Sequence, residues 1–254
     1  MYRIKSGDGI ILITGGSSGI GEGLVNKFRA DGYTVVTISR RPTPDQHAYV
    51  GDVTNRDQMR ETINTIIRKY GKIALLIANA GGNIHNKPDL LKDNFRKTFD
   101  VNFTGALNTL EFVIPQMDKQ DYGHIVIVSS VSGYSGLPYL NPAYTTAKAA
   151  LIHLAECLKW TLEKKNIRLQ IICPGFVDTP LNKDSKIVLP FIMPLQKAIN
   201  KIYNGIFNGG FEVSFPKHTT VFGLKFINLL PYFLYFKIIK LACKFSFAFK
   251  SGSR

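Results

Sequence analysis

Tyr144 and Lys148 are the two residues of this chain best suited to moving a proton. In the stretch Tyr144-Thr145-Thr146-Ala147-Lys148 they stand four residues apart. On a helix that spacing puts them on one face, one turn from each other. A phenol, with a pKa near ~10, is a poor acid or base at neutral pH. An ammonium beside it favours the phenolate and draws the pKa towards the working range. The pair is therefore a candidate general acid/base. Taken alone, the same spacing more often marks an aromatic ring packed on a lysine stem, so the elements around it must decide.

Those elements begin with Ile10-Ile11-Leu12-Ile13-Thr14, an unbroken apolar run of the kind found in a strand buried on both faces. Gly15-Gly16-Ser17-Ser18-Gly19-Ile20-Gly21 follows at once, and residues 22–31 read as a helix with Leu24, Val25 and Phe28 on one side. A glycine turn between a strand and a helix suits a phosphate-binding loop. The backbone can approach a pyrophosphate closely, and the free amides of the helix end face the anion.

Residues 33–38 read as a second strand, closed by Ser39-Arg40-Arg41. In a dinucleotide fold this end meets the adenosine ribose. An acidic residue there would bind the ribose hydroxyls of NAD. Two guanidinium groups instead suit the 2′-phosphate of NADP, although a solvated basic turn would look the same. A short strand at 48–50 leads into Gly51-Asp52-Val53. Residues 55–70 read as a helix, with Met59, Ile63, Ile66 and Ile67 at helical spacing. A fourth strand, 73–78, ends in Asn79-Ala80-Gly81-Gly82. One long helix is expected over about 94–117, carrying Asn102. A strand at 124–128 ends at Ser129-Ser130. A helix from about 141 to 164 carries Tyr144 and Lys148. A strand at 168–173 ends in Pro174-Gly175. Alternating strands and helices imply a parallel sheet covered on both faces. The polar residues gather where strands end and helices begin, which is where ligands bind in such sheets.

The chain has 254 residues, 45% hydrophobic and 20% charged, which suits one α/β domain with a large core. Its formal charge of +14 fits a nucleic acid, an anionic cofactor or an anionic membrane face, and does not choose among them. Cys157, Cys173 and Cys243 have no metal-site spacing and suggest a reducing compartment. The five histidines form no cluster, so no metal is expected, and residues 1–8 hold no apolar signal core.

In this order the motifs resemble the classical short-chain dehydrogenase/reductase family over about two-thirds of the chain, from Ile10 to Thr179. Thr14 to Gly21 looks like its TGxxxGxG loop, Asp52 like its aspartate beside the adenine, and Asn79-Ala80-Gly81 like its NAG motif. Asn102, Ser130, Tyr144 and Lys148 are similar to its catalytic tetrad. Pro174, Gly175, Val177 and Thr179 are similar to the segment at the nicotinamide end. The resemblance implies a Rossmann-type doubly wound parallel sheet of about seven strands in three α/β layers. It also implies a cofactor site made of Gly15, Ser17, Ser18, Gly19, Ile20, Gly21, Arg40, Arg41, Asp52, Val53, Asn79, Ala80, Gly81, Tyr144, Lys148, Pro174, Gly175, Val177 and Thr179. Under it, Tyr144 exchanges a proton with the substrate oxygen and Ser130 hydrogen-bonds that oxygen. Lys148 lowers the pKa of Tyr144 and binds the nicotinamide ribose, and Asn102 holds a water that relays protons to Lys148. Two departures stand out. Ala78 replaces a common asparagine. Ser130 lies fourteen residues before Tyr144 rather than thirteen, which leaves Ser129 and Ser132 as rivals, with the SxxG order favouring Ser130.

Beyond Thr179 the pattern gives no guide. Residues 187–194 are an apolar loop that reads as a lid or as core packing, within a substrate loop at about 180–207. A helix is expected at 195–207 and a last strand at 211–215. The run from Phe226 to Phe236 is almost wholly apolar, bracketed by Lys225 and Lys237. Eleven residues fall short of the ~20 a spanning helix needs. Lys237, Lys240 and Lys244 share one helical face. Such a segment fits a helix lying in an anionic membrane surface, and also one packed on the domain or on another subunit. The division expected is a catalytic domain over 1–218 and an apolar, basic extension over 219–254. The function expected is an oxidoreductase using NADP(H) in preference to NAD(H). It would interconvert a carbonyl and a secondary alcohol on an apolar or lipid-like small molecule, with no nucleic acid as partner. The protein is expected in the cytoplasm, at the inner face of a membrane through its extension, as a homodimer or homotetramer. The rival readings are a dinucleotide-binding regulator or scaffold without turnover, and a nucleic-acid binder.

Overall fold

The computed structural model describes residues 4–82, 93–136, 140–180, 192–216 and 221–251, the side chains of residues 93 and 242–251 excepted. Seven parallel strands form one sheet: β1 (Ile10–Thr14), β2 (Val35–Ser39), β3 (Ala48–Val50), β4 (Ile73–Ala78), β5 (Gly123–Val128), β6 (Ile167–Pro174) and β7 (Glu212–Phe215). Their order is β3-β2-β1-β4-β5-β6-β7. The chain winds outward one way from β1 and the other way from β4, so the crevice between those strands is the topological switch point.

Strand side chains alternate between faces, and in β1 both faces are apolar because helices cover both. Leu12, with Val36, Ile38 and Leu76, packs under α2 (Arg56–Tyr70), α4 (Gly105–Lys119) and α5 (Pro142–Glu163), where Met59, Ile63, Val113 and Leu151 are buried. Ile11 and Ile13, with Leu75 and Ile77, pack under α1 (Gly19–Ala30) and α6 (Leu195–Asn208), where Leu24, Phe28, Ile199 and Ile202 are buried.

Register brings the site to one edge. Thr14 lies beside Ile38 and Ala78, Ala78 beside Ile127, Val128 beside Ile172, and Pro174 beside Phe215. The residues that follow, Gly15, Arg40, Asn79, Ser130 and Gly175, therefore leave the sheet along the same rim.

The long helix expected over 94–117 is not continuous. It runs as α3 (Asp93–Phe99), then a π-helical segment Asp100–Thr104, then α4. The Gly105 amide closes the wide turn onto the Asp100 carbonyl. Gly105 also abuts Val53, where a Cβ would come within 2.4 Å of a valine methyl. Apolar periodicity does not register one inserted residue. Past β7 the chain forms α7 (Phe222–Ile227) and α8 (Tyr232–Ser251), separated around Pro231. Of the expected apolar lid, residues 187–191 lie outside the described residues, and Met193 bridges to Val177.

Candidate active site

The glycine loop turns tightly enough to face an anion because its backbone folds on itself. A Cβ on Gly21 would stand 2.1 Å from the Gly15 carbonyl, and Gly19 holds φ at 56°, a left-handed conformation that side chains disfavour. Ser18 caps α1 in an extended conformation without a side-chain cap bond, and Ser17 and Ile20 flank it. The first-turn amides of α1 therefore remain available to an anion.

Asn79 braces this loop from β4. Its Nδ2 donates to the carbonyls of Thr14 at 3.1 Å and Gly15 at 3.2 Å, while the Thr14 hydroxyl accepts from the amides of Asn79 and Ala80. Across the crevice Thr179 approaches Gly19, so the segment Pro174, Gly175, Val177, Thr179 closes the same rim. Arg40 and Arg41 stand exposed just past β2. Asp52 folds a local turn, its Oδ1 accepting from the Thr54 amide and hydroxyl, and the Val53 carbonyl accepts from Asn108.

The second half of the rim gathers Asn102, Ser130, Tyr144 and Lys148. Tyr144 and Lys148 lie one turn apart near the start of α5, with Lys148 Nζ 5.5 Å from the Tyr144 ring centre. Lys148 is buried and donates to the Val128 carbonyl at 2.9 Å. Burial draws its pKa down to about 8, against a smaller upward pull from Cys173. Burial pushes the half-buried Tyr144 up to about 12, while a hydrogen bond with Ser130 pulls it down. In the folded chain burial is the largest influence on Tyr144, and the downward pull comes from Ser130.

Three serines competed for that place. Ser129 is buried and spends its hydroxyl on the Lys148 carbonyl at 2.7 Å. Ser132 is buried with its hydroxyl unpartnered. Ser130 caps the short turn Val131–Gly133, accepts from the Ser132 amide, donates to the Pro174 carbonyl at 3.4 Å, and is the one of the three that draws the Tyr144 pKa down. Asn102, wholly buried in the π-helical segment, donates to the carbonyls of Gly82 at 2.6 Å and Thr98 at 2.7 Å. Its Oδ1 and Lys148 Nζ both flank Gly81, where a Cβ would stand 2.6 Å and 3.4 Å from them.

A family model described as short chain dehydrogenase matches residues 9–187. The chain belongs to the short-chain dehydrogenase family. An uncharacterised oxidoreductase of Myxococcus xanthus is 36% identical over 81% of this chain and 86% of its own length. The 3-oxoacyl-[acyl-carrier-protein] reductase FabG of Thermotoga maritima is 34% identical over 68% of this chain and 76% of its own. A short chain dehydrogenase from Burkholderia cenocepacia, solved in complex with NADP, superposes with a TM-score of 0.70 at 25% identity, covering 81% of this chain and 87% of that one. Solved neighbours of the same fold hold NADP or NAD.

As an oxidoreductase of this family, the chain has groups near its reactive centre that the sequence pattern did not single out. Cys173, at the end of β6, is buried beside Tyr144 and Lys148, its thiol pushed up to about 12 by burial. Tyr134, near enough to that thiol to draw its pKa down, donates to Glu212 at 2.7 Å. The position of Cys173 immediately before Pro174-Gly175 was a usable signal. The pairing of Tyr134 with Glu212, 78 residues later, was not.

Proposed function

We propose that this protein is an NADP(H)-dependent oxidoreductase interconverting a carbonyl and a secondary alcohol on an apolar, lipid-like substrate. The observation that carries the reading is the gathering of Tyr144, Ser130 and the buried Asn102 at one rim, with Tyr144 one helical turn from the buried Lys148. A substrate oxygen seated between the two hydroxyls would take a proton from Tyr144 in reduction and return it in oxidation. Ser130 would donate to that oxygen as charge develops. Lys148, charged below about pH 8, favours the phenolate that remains. Asn102 holds the Gly82 backbone beside Lys148, and its Oδ1 faces the same space, consistent with a water relay there.

The residues present fit the cofactor. The loop Gly15, Ser17, Ser18, Gly19, Ile20, Gly21 and the α1 amides would hold the pyrophosphate. Arg40 and Arg41 would hold the 2′-phosphate, and Asp52 and Val53 the adenine. Asn79, Ala80 and Gly81, with Pro174, Gly175, Val177 and Thr179, would line the nicotinamide half. The bound cofactor supplies the hydride.

The substrate class is supported by the C-terminal helices, whose outward side is rich in phenylalanine, and by an acyl-carrier substrate in the name of one relative. Among the described residues no helix is long and apolar enough to cross a membrane. We assign residues 219–254 to peripheral contact with the inner face of a membrane, around a cytoplasmic catalytic domain over 1–218. The exposed Trp160 and Cys157 on α5 leave a helix face open for a second subunit.

NADPH oxidation with a panel of ketones tests the reading. Tyr144→Phe is expected to cut turnover at least a hundredfold while NADPH binding stays within a few-fold. Near wild-type turnover by the purified variant would refute it.

A further inference from the structure

Three residues of the C-terminal helices converge on three consecutive residues beside the reactive centre. Lys225 on α7 pairs with Glu212 and lies 4.9 Å from the ring centre of Tyr134, whose hydroxyl donates to the same carboxylate. Asn228, just past α7, donates to the Tyr134 carbonyl. Tyr235 on α8 is buried, donates to the Gly136 carbonyl at 2.9 Å and shares a 2.8 Å hydrogen bond with Ser135 Oγ.

The other side of that strip leans on the reactive residues. Gly133 packs against the Lys148 backbone so tightly that a Cβ would stand 2.7 Å from its carbonyl carbon. The Ser132 amide, two residues before Tyr134, donates to Ser130 Oγ. A displacement of residues 134–136 would therefore be felt at Ser130.

The outer side of the same helices has no partner among the described residues. Tyr235 and Ile239 are the buried stripe of α8, whereas Phe226 is 64% exposed, Leu229 81%, Tyr232 78% and Phe233 64%. In the rest of the described chain the exposed large apolar residues are Val50, Leu107, Trp160 and Ile192, and they are scattered. After Glu212 every charged residue is a lysine or an arginine. Lys237 and Lys240 lie on the side of α8 turned away from Tyr235 and Ile239. Aromatic rings among lysines, without a single carboxylate, match an anionic lipid surface, in which rings bury at the headgroup level and lysine stems extend to phosphates. A second copy of this chain matches poorly, because it would bring the same cationic face and another +14 of charge.

We propose that α7 and α8 form a two-sided clasp. Its inner side positions residues 134–136 next to Ser130, and its outer side seats on an anionic bilayer. Membrane seating thereby steadies the wall of the substrate cleft, and an apolar substrate dissolved in the bilayer is taken up beside it. Lys225, Asn228 and Tyr235 are positioning residues. The substrate half of this rests on the oxidoreductase reading above; the lipid half and the steadying of the strip do not.

The test compares the full-length chain with a Tyr235→Phe, Asn228→Ala double variant of similar thermal midpoint, using vesicles of phosphatidylserine and phosphatidylcholine. Three readouts are taken: co-sedimentation, amide hydrogen exchange of residues 131–136, and NADPH-dependent reduction of a long-chain 2-ketone. Wild type is expected to sediment at low salt and release at high salt, with exchange of the strip slowed at least threefold on vesicles. The double variant is expected to sediment equally but to lose the slowing, and its KM for the ketone to rise about fivefold with a smaller change in kcat. Wild type that fails to sediment, or that sediments with exchange of the strip unchanged, overturns the clasp. Wild type that sediments and shows the slowing, yet reduces no ketone, leaves the clasp standing and overturns the enzymatic reading instead.

Discussion

Lys148 Nζ donates to the carbonyl of Val128 at 2.9 Å, so the amine that serves Tyr144 is held by the last residue of β5. The hydrogen bond fixes its place, and burial sets its charge.

That burial gives a pH dependence with a definite sign. The folded pKa of about 8 lies below the usual lysine value, so folding disfavours the charged form. Below pH 8 both states are protonated and the folded chain bears the whole cost. From pH 8 to ~10.4 the unfolded state binds more protons, so this group makes stability rise with pH. Between pH 7 and 10.5, wild type is expected to gain on the order of 3 kcal/mol on Lys148→Met. Urea unfolding of both proteins across that range measures the difference, and parallel curves would contradict it. In wild type, kcat/KM for reduction is expected to fall as pH rises through about 8.

Much of this was legible because apolar runs and glycine turns are local signals. The runs at 10–14 and 73–78 coincide with β1 and β4, and the helix carrying Tyr144 was placed to within a residue at each end. What escaped depends on contacts between distant residues. The π-helical turn at Asp100–Thr104 is closed by a backbone hydrogen bond from Gly105 to Asp100, which no side-chain pattern announces. The choice among Ser129, Ser130 and Ser132 turned on which hydroxyl the Lys148 carbonyl takes, 19 residues from Ser129. The upward push on Tyr144 reflects the groups the fold packs around it, which a spacing of four residues does not encode.

Asn102 is expected to matter for stability as well as for turnover. Both carbonyls it serves, on Gly82 and Thr98, lose their partner in Asn102→Leu. A buried acceptor left unsatisfied costs ~1–3 kcal/mol. The variant is expected to unfold at lower urea and to bind NADPH more weakly, because Gly81 and Gly82 border the cofactor crevice. A variant as stable as wild type would mean that these hydrogen bonds are replaced by water.

Arg40 and Arg41 predict the choice of cofactor. Both are exposed just past β2, and Ser39, where an acid would select NAD, turns its hydroxyl to the Arg41 carbonyl. The double variant Arg40→Ala, Arg41→Ala is expected to weaken NADPH by tenfold or more and NADH by less than threefold. Titration of both cofactors into both proteins measures this. Equal dissociation constants for NADPH and NADH in wild type would refute the preference.

The C-terminal helices touch β7, the edge strand three places beyond β4, and the strip after β5, and among the described residues none of their contacts reaches the glycine loop between β1 and α1. A chain ending at residue 218 keeps all seven strands and both apolar layers of the core. It is therefore expected to fold and to bind NADPH within about threefold of the full-length affinity. What it loses is the burial of Val221, Tyr235 and Ile239, at most ~1.5–3 kcal/mol each, and the hold on residues 134–136. Its thermal midpoint is expected to fall by several degrees, and its turnover with a long-chain ketone to fall more than its affinity for NADPH. The contrary view makes 219–254 an integral part of the core, in which case removal would strip the cover from Tyr134 and leave an aggregating chain. Size-exclusion chromatography with NADPH titration separates the two: a truncated protein that elutes as aggregate, or binds no NADPH, means that the catalytic domain does not end at residue 218.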